Sequence, residues 1–245
     1  MSSVKVYAVG DVHGSRYFNL FLASLKSLIN SRPDLIIFAG DMVDEGNAKE
    51  LRMIVDSVKS KFGGVPIIAV FGNEEYHEVE EKFINEYPEV VWLNDSLSII
   101  YVNNLRVGIV GSRGVLEKLT YWQKKNKPIL EQVYRERPTV IRKLLSDSKK
   151  ASDITIYVSH YAPTYATVKG EPDKVLPFMG SRYIEEVLRD VKPDIAIHAH
   201  AHNSRVLETI LDGVKVYNVS LPARRAITVI NATPPKDLTS YVKLH

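Results

Sequence analysis

Three times in its first ninety residues the chain repeats one pattern. Residues 4–9, 35–39 and 65–71 are short runs of apolar residues, with Lys5 the one charged exception, rich in β-branched and aromatic types. Each run meets a glycine followed by a polar side chain, at Gly10-Asp11, Gly40-Asp41 and Gly72-Asn73. Unbroken apolarity, rather than alternation, is what a strand covered on both faces needs. Between and after the runs, apolar residues return at helical spacing, over 15–30 (Phe18, Phe21, Leu22, Leu25), over 48–61 (Leu51, Ile54, Val55, Val58) and again to about residue 86. Ser15 is the expected N-cap of the first helix. Strand and helix alternating this closely predict a parallel sheet with right-handed crossovers. Ligands of such a sheet gather at the C-terminal strand ends, where the glycines and polar residues lie.

From residue 90 the pattern changes. Runs 96–101 and 105–110 flank Asn103-Asn104, a hairpin signal. Residues 113–150 read as mostly helical, interrupted by Pro128 and Pro138, and carry eleven Lys/Arg against four acids, although the whole chain is only +3. A strand over 154–158 closes on Ser159-His160, and a long loop follows over 164–179. Loops of that length inside a compact domain are usually functional. Ser181 caps a helix to Asp190, and a strand over 195–197 runs into His198-Ala199-His200-Ala201-His202. The runs at 206–210, 214–219, 226–230 and 241–244 predict an antiparallel meander, with a turn at Asp212-Gly213. No repeat or linker divides the chain, so 1–245 is expected to be one domain, with a basic helical cap around 113–150 and an active-site loop at 164–179.

Five strand ends thus carry polar side chains: Asp11 with His13, Asp41, Asn73, His160, and His200 with His202. A lone histidine at a strand end is more often a hydrogen-bonded core residue than a ligand. Here five of the chain's seven histidines fall in such turns, which chance placement does not explain. With no cysteine in the chain, a metal must be held by oxygen and imidazole nitrogen. Aspartate, asparagine and neutral imidazole suit borderline divalent ions. Seven such side chains are too many for one tetrahedral ion and suit two ions sharing a carboxylate. Two metals about 3.5–4 Å apart clamp the attacking and leaving oxygens of an in-line displacement and acidify a bound water. Hydrolysis at phosphorus is the reaction class that follows.

The blocks Gly10-Asp11-Val12-His13-Gly14, Gly40-Asp41-Met42-Val43-Asp44, Gly72-Asn73-Glu74-Glu75, Ser159-His160 and His200-Ala201-His202, in this order, resemble the calcineurin-like metallophosphoesterase superfamily. The resemblance implies an α/β fold, a four-layer αββα sandwich of two mixed β-sheets flanked by helices. It implies that Asp11, His13, Asp41 and His202 hold one metal, and that Asp41 bridges to a second held by Asn73, His160 and His200. The implied cofactors are two divalent ions, manganese first, with iron, cobalt, zinc or nickel as substitutes. In that family a bridging hydroxide attacks the phosphate. Two residues depart from its pattern. Glu74 stands where a histidine usually contacts phosphate and protonates the leaving group, and a carboxylate there repels phosphate unless protonated or turned away. Ala199 replaces a common glycine, a change expected to be tolerated. Glu45 stands where the protein-phosphatase branch has arginine, which argues against that branch.

His198 shares the face of His200 and is expected to be packed rather than ligating, His77 to face solvent, and Asp44 to cap a helix or orient a ligand. Arg113 and Trp122, with Asn73, are the candidate substrate contacts: 113–130 and 164–179 would form a lid over the metals, although a solvated basic helix face explains the charge equally well. The expected function is a dinuclear phosphodiesterase or phosphatase acting on a phosphorylated small molecule or nucleotide-like substrate, nucleic acid being a further candidate. The alternative is a metal-binding scaffold that keeps the fold without turnover, for which Glu74 is the argument. No apolar run is long enough to span a bilayer, and no basic-then-apolar leader opens the chain, so the expected location is cytoplasmic.

Overall fold

The structure, a computed structural model, describes residues 2–235; the expected strand at 241–244 lies outside them. The first third follows the repeated pattern: β1 (Val4–Val9), α1 (Phe18–Ser27), β2 (Leu35–Ala39), α2 (Ala48–Phe62), β3 (Ile67–Val70), α3 (Glu80–Glu86) and β4 (Val90–Leu93). β5 (Ser96–Val102) and β6 (Leu105–Ser112) then pair antiparallel around Asn103 and Asn104, both at positive φ as a tight hairpin turn requires. α4 (Tyr121–Asn126), α5 (Leu130–Ala151), β7 (Ile154–Ser159), α6 (Arg182–Val191) and β8 (Ile195–His198) follow. β9 (Glu208–Leu211), β10 (Val214–Asn218), α7 (Leu221–Arg224) and β11 (Thr228–Ala232) complete the described chain.

The strands form two sheets, in the orders β11-β1-β2-β3-β4 and β5-β6-β7-β8-β10-β9. Each has a parallel centre; the first has one antiparallel edge strand, β11, and the second has two, β5 and β9, so both are mixed. The sheets face one another. Strand periodicity sends Val4, Val6 and Ala8 of β1, and Leu35, Ile37 and Ala39 of β2, into a shared core with Ile109, Ile156, Val158 and Ile197 of the other sheet. The alternate residues, Tyr7, Val9, Ile36 and Phe38, pack under α1 and α2. On the far side, α5 and α6 cover the second sheet with Tyr134, Ile141, Leu145, Ile184 and Leu188. Four layers, helix–sheet–sheet–helix, result, and both faces of the central strands are buried. That is why these strands read as unbroken apolar runs.

Several expectations give way to tertiary packing. The tail is not a meander: β10 pairs parallel with β8 and antiparallel with β9, whereas β11 crosses to the first sheet and pairs antiparallel with β1. Pro138 does not interrupt a helix but lies inside α5. A proline there removes one helical hydrogen bond and costs roughly 3 kcal/mol. Buried residues at 130, 134, 137, 141, 145 and 148 hold the helix against the second sheet, and each large apolar side chain so buried returns about 1.5–3 kcal/mol. Pro128 does mark the break between α4 and α5. Ser15 is not a cap; it lies in a 3-10 turn, Gly14–Arg16, and α1 begins after Tyr17. The 164–179 loop is organised by two 3-10 turns, Tyr165–Thr167 and Asp173–Phe178, packed through Val168 and Met179 onto Ala162 and Ala201.

Candidate metal centre

The ligand-bearing strand ends do not share one sheet, as the pattern had suggested. β1, β2 and β3 belong to the first and β7 and β8 to the second, so the site forms where the two sheets' C-terminal edges meet. Backbone bonds lock the edges together. Gly10 N–H donates to the Val219 carbonyl (3.1 Å) and Leu221 N–H to the Gly10 carbonyl (2.9 Å). Within the first sheet, Asp11 N–H donates to the Gly40 carbonyl and His13 N–H to the Asp41 carbonyl, each at 3.0 Å. Gly72 is required by proximity: a Cβ there would stand 2.1 Å from Asp41 Oδ1. Ala199 is accommodated because its partner across the interface is Gly10, whose Cβ would lie 2.5 Å from that of Ala199.

Two groups of side chains converge here. Asp11, His13 and His202 form one, and Asp41, His160 and His200 the other, with the candidate ligand atoms of each within 4.8 Å of one another. Asp11 Oδ2 and His13 Nε2 each lie 3.4 Å from His202 Nε2. Asp41 Oδ2 lies 3.3 Å and Asn73 Oδ1 3.1 Å from His160 Nε2, which puts Asn73 beside the second group. Four of these residues, Asp11, His13, Asp41 and His200, have left-handed backbone with φ between 49° and 68°. Such strain in non-glycine residues concentrates at functional sites.

The imidazoles are oriented from behind. His13 Nδ1 donates to Asp44 Oδ1 (2.6 Å), His160 Nδ1 to the Ala39 carbonyl (3.0 Å), and His200 Nε2 to the Phe178 carbonyl (3.1 Å). In His13 and His200 the remaining nitrogen is left as a lone-pair donor, the arrangement metal-binding histidines use, and in His160 it faces Asp41 and Asn73. Asp44 thus orients His13, while the cap of α2 is Asn47. The carboxylates are held by backbone amides: His200 N–H donates to Asp11 Oδ2 (2.9 Å) and Glu74 N–H to Asp41 Oδ1 (2.7 Å). Asp11 Oδ1 is buried with no hydrogen-bond partner among the described residues. An unsatisfied anionic oxygen, two imidazole nitrogens and an adjacent second group of the same make-up fit divalent cations. His198, by contrast, spends both nitrogens, on the Thr167 hydroxyl (2.7 Å) and the Ala199 carbonyl (2.8 Å), and is packed rather than free to ligate.

Charge follows from this packing. Burial alone would raise the Asp11 and Asp41 carboxyls, but neighbouring histidines, His202 for Asp11 and His160 for Asp41, hold both below the usual carboxylate range. Burial would lower His160, yet Asp41 and Asp11 push it up to about 9. Burial dominates at His200 and drops it to about 4, so that ring is neutral and able to ligate at neutral pH.

Sequence reasoning missed the residue that braces the centre. Glu75 is fully buried, and its Oε2 accepts from Asp41 N–H (2.8 Å) and Gly72 N–H (2.7 Å) while Oε1 accepts from Met42 N–H (2.7 Å) and Val43 N–H (3.3 Å). It ties the β2 and β3 ends together. Its signal was its place, a second acid directly after Gly72-Asn73-Glu74.

The other candidates lie around a neighbouring cavity lined by Asn73, Glu74, Arg113, Trp122 and His200. Glu74 is half-buried, accepting from Asn73 Nδ2 (3.1 Å) and Glu45 N–H (3.1 Å). Arg113 is buried, its Nη2 shared by Glu80 Oε1 (2.6 Å) and the Glu75 carbonyl (3.0 Å). Trp122 is exposed on α4. His77 also borders the cavity, its Nδ1 2.8 Å from Glu80 Oε1. Most of the basic residues of α5 point elsewhere: Lys143, Lys149 and Lys150 are exposed, Arg142 pairs with Asp190, and Arg137 is buried on Asp95.

A family model described as calcineurin-like phosphoesterase matches residues 4–204. The chain is 29% identical over 114 residues to a probable glycerophosphodiester phosphodiesterase of Arcobacter nitrofigilis, a match covering 45% of this chain and 38% of that protein's length. Among solved structures, the phosphopantetheinyl hydrolase of Mycobacterium tuberculosis superposes with a TM-score of 0.66 at 16% identity, over 90% of each chain. A dimetal phosphatase from Danio rerio superposes with a TM-score of 0.61 at 12% identity, over 96% of this chain and 93% of that one. At such identities the structural likenesses show a shared fold.

Proposed function

The chain belongs to the calcineurin-like phosphoesterase family, and from that premise we propose that it hydrolyses a phosphodiester or phosphomonoester at a dinuclear metal centre. The observation that carries the reading is the pair of Asp/His groups meeting between the two sheet edges. Asp11, His13 and His202 would hold one divalent ion, and His160, His200 and Asn73 the other, with Asp41 shared. Manganese is the first choice, with iron, cobalt, zinc or nickel as substitutes. Bound there, two such ions neutralise phosphate oxygens and lower the pKa of water.

The protein's own part is positional. The Asp44, Ala39 and Phe178 acceptors fix the three imidazoles, and the backbone amides of His200 and Glu74 fix the two carboxylates. Glu74 lies at the mouth beside Asn73 and His200, where its charge opposes a dianionic monoester more than a monoanionic diester. The substrate class is a phosphorylated small molecule or nucleotide-like compound. No helix among the described residues is long and apolar enough to cross a membrane; the cytoplasm is the proposed location.

The test is hydrolysis of bis-p-nitrophenyl phosphate and p-nitrophenyl phosphate by metal-stripped protein re-supplied with Mn²⁺, alongside Asp41→Asn. Diester turnover that needs metal and falls at least about a hundredfold in the variant is the expected result. Glu74 favours one second reading, a metal-binding scaffold. Two bound metals by elemental analysis, with no turnover of either ester, would select it.

A further inference from the structure

Next to the second ligand group lies a cavity of about 660 Å³ whose lining includes Asn73 and His200. Five aromatic side chains wall it: Tyr76 before the 3-10 turn at His77–Val79, Trp122 of α4, Tyr134 of α5, Tyr161 after β7, and Phe178 of the Asp173–Phe178 turn. They come from five separate segments, so the fold, and not one apolar stretch of sequence, assembles the pocket. Continuity with Asn73 and His200 places it where one substituent of a phosphorus centre held by the two ligand groups would project.

Charge narrows what can enter. The two lining cations are already engaged, Lys127 with Glu78 and Arg113 with Glu80. Glu74 adds a carboxylate to the wall, and both its oxygens accept hydrogen bonds, from Asn73 and from the Glu45 backbone. A second phosphate or a carboxylate would meet no uncommitted cation in the lining and would face the Glu74 charge.

We propose that this cavity receives the alcohol part of the substrate and selects an aromatic ring without a second anionic group, as in aryl or nucleoside esters. The proposal rests on the phosphoesterase reading and adds a substrate class to it. Flat aromatic walls stack on a ring whatever its substitution, and such stacking is typically worth about 5- to 150-fold in affinity when one wall residue is removed.

The experiment is isothermal titration calorimetry of the full chain loaded with Mn²⁺, using methylphosphonate, phenylphosphonate and 2-carboxyethylphosphonate as probes. Phenylphosphonate is expected to bind at least about tenfold more tightly than methylphosphonate, and 2-carboxyethylphosphonate no more tightly than methylphosphonate. In Trp122→Ala the phenyl-to-methyl ratio falls at least fivefold. Trp122 is 61% exposed, so its removal leaves the core intact, and thermal melting checks this. A parent ratio near one, an unchanged ratio in Trp122→Ala, or preference for the carboxylate probe would overturn the cavity assignment while methylphosphonate binding leaves the phosphoesterase reading standing. Failure of all three probes to bind protein that carries two metals would overturn both.

Discussion

Replacing Glu75 by glutamine keeps size and shape and removes one acceptor oxygen. The parent carboxylate is fully buried and takes two backbone N–H donors on each oxygen, Asp41 and Gly72 on one, Met42 and Val43 on the other. Burial and the nearby Asp41 charge push this carboxyl up to about 7, against the pull of those donors. In the variant the amide nitrogen must face one pair of N–H groups, whichever way it turns. The cheaper orientation directs it at Met42 and Val43, because the Val43 bond is the longest at 3.3 Å. One good bond and one weak bond are then lost, and two buried donors are left facing a donor. At about 1–3 kcal/mol for each unsatisfied buried group, the cost is about 2–5 kcal/mol. For a domain of this size, 1 kcal/mol shifts Tm by about 2–4 °C, so Glu75→Gln should melt about 4–20 °C lower. The same change frees the backbone of Asp41, so Mn²⁺-supported turnover should fall with it. Circular-dichroism melting and diester hydrolysis measure the two effects. A Tm within 2 °C of the parent would refute the reasoning, because it would mean the backbone donors do not depend on an anionic acceptor.

Three further outcomes follow from the structure. Glu74→His removes a carboxylate beside Asn73 and His200 and supplies a proton donor; p-nitrophenyl phosphate turnover should rise about tenfold or more relative to the diester, and an unchanged ratio would show that Glu74 does not govern the preference. Pro138→Ala restores an N–H to α5 opposite the Tyr134 carbonyl, so it should stabilise by about 1–2 kcal/mol; a lower Tm would show that the helix is built around the proline. Asp153 is held down to about 2 by the Arg106 side chain and backbone N–H, so the pair's stabilisation is present above the ordinary value of 3.8 and is lost as pH falls through about 2. Asp153→Asn should therefore lower Tm at pH 6 and leave it unchanged at pH 2, which melting at the two pH values decides.

Much of the fold was legible because the central strands are buried on both faces and end abruptly at glycines. Buried apolar runs and strand-end Asp, Asn and His survive as local patterns, so the residues that converge in the two Asp/His groups could be named one by one. What local pattern cannot carry is which sheet a strand joins. β4 and β5 are separated by only Asn94 and Asp95, yet lie in different sheets, and β11 returns across the whole chain to β1. Burial of charge was equally hidden. Arg113 follows directly on β6, where an arginine is exposed by default, and only Glu80, thirty-three residues earlier, with the Glu75 carbonyl, explains its burial. Glu75 beside Glu74 shows the same limit: two adjacent identical residues, one clamping four backbone amides and the other at the cavity wall.

The strained backbone at the centre links these observations. A left-handed conformation costs a non-glycine residue about 1–2 kcal/mol, so Asp11, His13, Asp41 and His200 together store about 4–8 kcal/mol. That is comparable with the whole net stability of an ordinary domain. Such turns persist only where surrounding bonds leave them no alternative. Here the Gly40 and Asp41 carbonyls hold the Asp11 and His13 amides, Glu75 holds the Asp41 amide, and Asp11 holds the His200 amide. The strained residues therefore fix one another, and the brace residue Glu75 sits at the one member of the set that both candidate groups would share. Weakening it should disturb the two groups together rather than one at a time, so metal titration of Glu75→Gln should show both sites losing affinity in parallel. Loss confined to one site would mean that the two strand-end pairs are held independently.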